Sequence, residues 1–330
     1  MAKYILKRLL LMLMTLFIIM SICLIMIRLL PVPPINRVPG VDPILQYEKQ
    51  VQLGYLVKTE SGEYVKAPIL LAYFKFWKNI FTQWNWGEGM TMYANQNVWD
   101  VLLQKLPYTV IVNLYSILIA IPLGLIFGVY AALKKNKWED HVISTLVVVF
   151  ISVPSYVYAF LVQYLLCFKL GWFPLTVASR ENASFFSWTM FVSMLPAVLS
   201  LGFGVVAGLT RYTRAELSEV LTSEYMLLAR TKGLTKAQAI VRHAMRNAMV
   251  VIFPMILGEF IGIMSGSLII EAIFSIPGVG QLYIASINSK DYNFFMALTF
   301  FYTFIGLLSS IVIDISYGFI EPRIRMGSKK

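Results

Sequence analysis

The sequence predicts an all-α integral membrane protein that crosses the bilayer six times, and three observations carry that expectation. Apolar residues make up 58% of the 330 and charged residues only 14%, with a mean hydropathy of +0.71; a soluble chain of this size needs more polar surface to cover its core. Apolar runs repeatedly reach the roughly 20 residues that a helix needs to cross a hydrocarbon layer about 30 Å thick. The basic residues that bring the net charge to +11 border these runs, where anionic lipid head groups attract them. No recognised nucleic-acid motif accompanies that charge, which argues against a nucleic-acid partner.

The first run, residues 9–27, follows Lys3, Lys7 and Arg8 and passes without a charge. A secretory signal has an apolar region of about 7–15 residues closed by small residues. Here Arg28, Leu29, Leu30 and Pro31 follow, so residues 1–30 are read as a cytoplasmic end and an uncleaved first span. Residues 31–106 form an extracellular or interfacial segment. Its second half, ILLAYFKFWKNIFTQWNWGEG, sets Tyr73, Phe74, Phe76, Trp77, Phe81, Trp84 and Trp86 among few charges. Rings with a polar edge favour the membrane interface, so a helix on or dipping into the outer leaflet is expected. Residues 107–330 supply a five-helix core with spans at 109–133, 142–168, 188–209, 249–273 and 294–317. Pro122, Pro154, Pro196 and Pro254 fall inside four of them; the missing N–H and the freed carbonyl predict kinks there. Cys23 and Cys167 sit in apolar runs and read as ordinary span residues rather than disulfide partners or metal ligands.

Six spans leave both ends on one side of the membrane. Lys134, Lys135 and Lys137 crowd one short loop, against the isolated Lys169, Arg180 and Lys290 on the other side, so the positive-inside rule makes both termini cytoplasmic. Residues 210–248 are then a long cytoplasmic loop, written as helix, stop, helix. RAELSEVLTSEYMLLARTK, residues 214–232, contains many helix formers and no glycine or proline. Gly233 suits the left-handed position that ends a helix, and Arg230 and Lys232 suit the negative end of its dipole. Thr235 followed three residues later by Gln238 is a capping box that starts the next helix. The residues alone allow two readings, a rigid element docked on a cytoplasmic partner or an amphipathic helix pair resting on the inner leaflet.

ARTKGL followed by RHAMRNA in this loop, ISVPSYVYAFLVQYLL and GWFP in the third span and its exit, LPAVLSLGFG in the fourth, IIEAIFSIPGVGQLYIASINSKDY after the fifth and EPRIR near the C-terminus together resemble the permease subunits of binding-protein-dependent ABC importers. The form is that of the oligopeptide, dipeptide and nickel group, and the resemblance covers nearly the whole chain. Length, outer segment and motif order are most similar to the oligopeptide permease B-type subunit. The resemblance implies a type I importer permease fold and half of a heterodimeric translocation pathway in a bacterial cytoplasmic membrane. It also implies a second homologous permease, two cytoplasmic ATPases and an extracellular or periplasmic peptide-binding protein as partners. By the same resemblance, Leu227, Leu228, Ala229, Arg230, Thr231, Lys232 and Gly233, with His243, Arg246 and Asn247, couple the chain to the ATPases. The broader importer pattern has Glu-Ala-Ala where Leu227, Leu228 and Ala229 stand, so only Ala229 and Gly233 agree; absence of that glutamate is common in the peptide group. No G-x-x-x-x-G-K-[ST] loop occurs, so the chain is expected to bind no cofactor, ATP and Mg being used by the partner subunits.

Within the spans, Gly258, Gly262 and Gly266 recur every four residues, and Gly204 with Gly208 and Gly124 with Gly128 repeat the spacing. Small residues so placed let a second helix approach, in this chain or in a second permease. An ionisable group near the centre of a span costs roughly 2.5–3.5 kcal/mol, which makes Glu259 and Glu271 candidates for the pathway, with a structural hydrogen bond as the other reading. Asp314 has Arg323 or Arg325 as its expected partner. H-E-x-x-H and G-x-S-x-G are absent and no compact nucleophile and base stands out, so no catalytic residue, cofactor-binding residue or metal ligand is assigned. Two alternatives stay open: a dipeptide or nickel-chelate importer permease within the same group, and an ion-coupled secondary transporter, whose paired inverted halves are not visible here.

Overall fold

The computed structural model describes residues 2–30, 42–180 and 183–320. In chain order these form α1 (Ala2–Leu29), α2 (Pro43–Gln52), an antiparallel hairpin of β1 (Leu56–Lys58) and β2 (Tyr64–Lys66), then α3 (Ile69–Gln83) and α4 (Val98–Leu133). Next come α5 (Trp138–Ser152), α6 (Ser155–Val162) with a π-helical continuation Gln163–Lys169, α7 (Trp188–Val220), α8 (Glu224–Thr231) and α9 (Lys236–Ala239). A π-helical turn, Ile240–Ala244, leads into α10 (Met245–Gly262), followed by α11 (Leu268–Ile273), α12 (Val279–Asn288) and α13 (Tyr292–Ile320). Among the described residues five helices are long and apolar enough to cross a membrane, and α5 with α6 makes a sixth if that bent pair is one span.

The chain divides into two compact units, one of Tyr108–Ile276 with the chain from Ser309 onward, the other of Ala2–Pro107 with Pro277–Leu308. In the second unit α3 lies antiparallel along α1. The Ser21 and Tyr73 hydroxyls are 2.9 Å apart and the Phe17 and Trp77 rings 4.6 Å apart, so α3 meets the middle of the 9–27 run rather than only its outer end. It buries Ala72 and Ile80 and leaves Leu70, Phe74 and Phe81 exposed, an apolar outer surface suited to lipid. The polar connection beyond α3 is held by Asp291, whose Oδ2 accepts the backbone N–H groups of Met90, Thr91 and Met92 at 2.8, 2.9 and 3.1 Å. Tyr55 is buried, donates to Asn293 Oδ1 at 2.9 Å and lies under the Arg28 guanidinium, 3.7 Å from its ring centre. Burial raises the Tyr55 phenol well above its ordinary pKa, against the pull of Arg28.

The first unit corrects three expected boundaries. The span expected at 142–168 is broken: α5 and α6 meet at 103°. Pro154 has no N–H to continue the helix and forces Val153 to extended backbone (φ −84°, ψ 127°). Pro122, Pro196 and Pro254 lie within continuous helices. The span expected at 188–209 continues as helix to Val220, because the polar residues after Leu209 favour helix as strongly as the apolar ones before it. The span expected at 249–273 stops at Gly262; Gly266 takes φ +60° and Ser267 caps α11 by accepting the Ile270 N–H at 3.4 Å. Gly266 therefore lies beyond α10, and the expected single face of Gly258, Gly262 and Gly266 does not exist.

Gly124 and Gly128 carry the close packing of α4 on α7. A Cβ on Gly124 would lie 2.7 Å from Leu209 Cβ, and one on Gly128 2.5 Å from Thr213 Cβ. Thr210 Oγ1 donates to the Gly124 carbonyl at 3.2 Å across the same contact. α5 is held to α7 by Asp140, 1% exposed, which takes the Arg214 guanidinium on both oxygens, Nη2 to Oδ2 at 2.7 Å and Nε to Oδ1. The Asn136 N–H and the Ser144 hydroxyl also donate to that carboxylate. Arg214→Ala leaves a buried carboxylate without its counter-charge and should destabilise the chain by about 3 kcal/mol, read as a lowered thermal midpoint in detergent. The Asp140→Leu/Arg214→Met pair should recover much of that loss; an unchanged midpoint in Arg214→Ala alone would remove the ion pair from the account.

Candidate functional site

The basic loop is more continuous with the spans than its sequence suggested. The expected single helix over 214–232 is interrupted at Leu221–Ser223, where the Thr222 and Ser223 hydroxyls donate to the carbonyls of Glu219 (2.9 Å) and Val220 (2.5 Å). Hydroxyls that bond nearby carbonyls compete with helical continuation, and α8 starts afresh at Glu224. Its end is as the sequence predicts: Gly233 has φ +89° and the Leu234 N–H reaches back to the Ala229 carbonyl at 3.3 Å, the six-to-one bond of a Schellman cap. The capping box is also present, with Thr235 N–H donating to Gln238 Oε1 at 3.1 Å and Gln238 N–H to Thr235 Oγ1 at 3.3 Å. The second limb is not a separate short helix. It runs through the π-helical turn into α10, so the corner at Gly233 is joined to a span without a break.

One face of this corner is anchored. Met226, Ala229, Ala239, Ile240 and Ala244 pack with Leu217 and Ala132 as a buried cluster, with Leu234 against it. The other face carries Leu227 at 65%, Leu228 at 54% and Val241 at 69% exposure. Thr231, Lys232, Gly233, His243, Arg246 and Asn247 are exposed as well, while Ala229 faces the cluster. The Arg230 side chain lies outside the described set. A cavity of about 410 Å³, lined by Ala132, Leu133, Leu221, Met226 and Leu227 among others, opens beside the corner. Water penalises bare leucines on a helix whose opposite side is already packed, and a protein surface that covers them removes the penalty.

A second feature lies within the spans. Glu259 on α10 is half-buried and lines a cavity of about 290 Å³ with Ser155 and Tyr158 of α6, Gly204 and Gly208 of α7, and Ser267. Among the described residues no hydrogen bond or ion pair to Glu259 occurs. Gly258, one residue earlier, packs toward Ile313, whose Cδ1 would lie 3.2 Å from an added Cβ; around Gly262 such an atom would meet nothing within 4 Å. Glu271 is placed elsewhere: it is 1% exposed and accepts the Thr109 hydroxyl at 2.9 Å beneath Gly266. Sequence reasoning did not pick out Ser155 and Tyr158. The available signal was the pair of hydroxyls just after the helix-breaking Pro154 in an otherwise apolar run. Asp314 lies within α13, and its expected partners Arg323 and Arg325 fall outside the described residues. No cluster of three or more His, Cys, Asp or Glu side chains fit to hold a metal occurs among the described residues.

The chain is similar to the dipeptide transport system permease protein of Lactococcus lactis subsp. cremoris (strain MG1363), with 33% identity over 326 residues, 99% of this chain and 100% of that protein. It is 31% identical to the dipeptide transport system permease protein of Bacillus subtilis (strain 168) over 330 residues, the full length of both. With the glutathione transport system permease protein of Escherichia coli (strain K12) it shares 30% identity over 325 residues, 98% of this chain and 99% of that one. Among solved structures, the inward-facing MetNI methionine ABC transporter gives a TM-score of 0.49 at 13% identity, covering 66% of this chain and 97% of that one. The profile described as "Binding-protein-dependent transport system inner membrane component" matches residues 124–326, which include the basic corner and the Glu259 cavity. The chain belongs to the family of binding-protein-dependent transport system inner membrane components.

Proposed function

We propose that this chain is the permease subunit of an ATP-driven peptide importer. In this reading it forms half of the pathway beside a second, homologous permease, receives cargo from an external binding protein and is driven by two cytoplasmic ATPases. The anchored corner with bare Leu227 and Leu228 is the observation that carries the coupling: a short helix fixed on one side and apolar on the other fits a groove on a moving partner. Its unbroken continuation into α10 gives the stroke a route to the span that holds Glu259. In this reading the chain itself binds no nucleotide, having no G-x-x-x-x-G-K-[ST] loop, and ATP and Mg are used by the partners. Lys134, Lys135 and Lys137 support cytoplasmic termini in a bacterial inner membrane.

The cargo reading is an oligopeptide, on the order of motifs and the length of the outer segment. A dipeptide stands beside it, because two of the relatives above are named for dipeptides. Uptake of a labelled dipeptide against a labelled pentapeptide by the assembled complex separates the two. For the coupling, a cysteine at Leu228, in a chain with Cys23 and Cys167 replaced by serine, should crosslink to a cysteine in the ATPase groove, with a yield that changes with nucleotide. No crosslink in any nucleotide state would take the docking role away from α8.

A further inference from the structure

We propose that the Glu259 cavity is a recognition station for the free ammonium group of a peptide in transit, a proposal that rests on the peptide-import reading above. Burying a carboxylate among apolar helices is costly unless a partner or water compensates it, and such groups face cavities and pathways. The two fully buried carboxylates described in this unit have their compensation within the chain, Asp140 from Arg214 and Glu271 from Thr109. Glu259 has none among the described residues, and it opens on a cavity. Among the described residues, then, the group that faces Glu259 is the cavity itself, with room for a cationic visitor.

The walls favour a visitor with hydrogen-bond donors. Ser155, Tyr158 and Ser267 line the same space, and an ammonium group has three donors to share between a carboxylate and hydroxyl oxygens. A divalent cation needs a richer set of anionic ligands, and none is clustered among the described residues. A carboxylate terminus would be repelled. The volume, about 290 Å³, is at the small end of ligand pockets, fitting one end of a peptide rather than its whole length.

The glycines of α7 support a lumen more than a helix seam. A Cβ on Gly208 would meet nothing within 4 Å, and one on Gly204 would meet only the Tyr158 hydroxyl at 3.5 Å. Gly124 and Gly128, with neighbours at 2.7 and 2.5 Å, show what close packing looks like in this chain. At Gly204 and Gly208 the missing side chains are part of the open space instead.

The test uses the complete complex in proteoliposomes, with its binding protein, and compares ATP-dependent uptake of trialanine and N-acetyl-trialanine. Selectivity of the binding protein enters the wild type and the variant equally, so the change in the free-to-acetylated rate ratio isolates the permease. Glu259→Gln should lower that ratio by about 10-fold, as expected when an ionic hydrogen bond is replaced by a neutral one. An unchanged ratio overturns the proposal, whether both rates fall together, as for a carboxylate paired with the second permease, or neither falls. Gly208→Leu, a favourable change for a helix, should block both peptides by filling the cavity; normal uptake in this variant also overturns the proposal. If the wild-type complex imports neither peptide with ATP, it is the peptide-import reading that fails, a result distinct from the others.

Discussion

Replacing Leu227 and Leu228 together by aspartate is expected to lower ATP-driven uptake roughly 100-fold, the scale set by losing two central apolar anchors of an interface. Both side chains are more than half exposed, so the substitutions touch little of what folds this chain. Met226 and Ala229, on the opposite side of α8, keep the corner seated on Leu217 and Ala132. The Schellman cap at Gly233 and the capping box at Thr235 are backbone and Gln238 contacts that the substitutions do not enter. Two new carboxylates would have to be desolvated against the partner without a counter-charge, which is why the effect exceeds that of alanine. The measurement is twofold: uptake by the assembled complex, and the amount of ATPase that co-purifies with the tagged permease. The expected result is loss of both, with normal membrane insertion. Retention of uptake within a few-fold of wild type would show that the exposed face of α8 meets no partner that matters for transport.

Gly266→Val carries the largest expected stability effect. Gly266 sits at φ +60°, where a β-branched residue is strained by about 1–2 kcal/mol. The added Cβ would lie 2.3 Å from Glu271 Oε1 and 2.6 Å from Thr109 Cγ2. Glu271 is nearly fully buried, so its carboxylate cannot swing to solvent, and Thr109, being β-branched, has little rotameric freedom. Overpacking of this kind adds about 1–3 kcal/mol, for a total of about 2–5 kcal/mol. A fall in thermal midpoint much larger than for Gly262→Val, where the space around the residue is open, is the expected result. Equal midpoints would show that the turn between α10 and α11 relaxes freely.

Legibility in the sequence followed the range of the forces involved. Apolar run length is a local quantity, and the spans at 9–27 and 109–133 were recovered as uninterrupted helix within α1 and α4. The Gly233 stop and the Thr235–Gln238 box were equally legible, since both depend on contacts three to five residues apart. The breaks at Leu221–Ser223 and Ile263–Ser267 were less so. Serine and threonine are tolerated in helices or bend them according to whether their hydroxyls find nearby carbonyls, and Gly266 reads as a packing glycine until its φ is known. Of four prolines in spans, only Pro154 ended its helix; proline lowers the cost of a break everywhere, but neighbouring packing decides where the chain takes it.

Composition and periodicity alone determined that this chain is a helical membrane protein with a capped, basic corner on one side, because hydrophobic transfer and end-capping act on residues adjacent in sequence. Tertiary structure decided the division of labour among chemically identical residues. Glu271 is tied to Thr109 while Glu259 opens on a cavity, and Gly124 meets a helix while Gly208 meets empty space. Those differences arise largely from neighbours distant along the chain, Thr109 for Glu271, α6 and α7 for Glu259 and Leu209 for Gly124, whose approach no local pattern records.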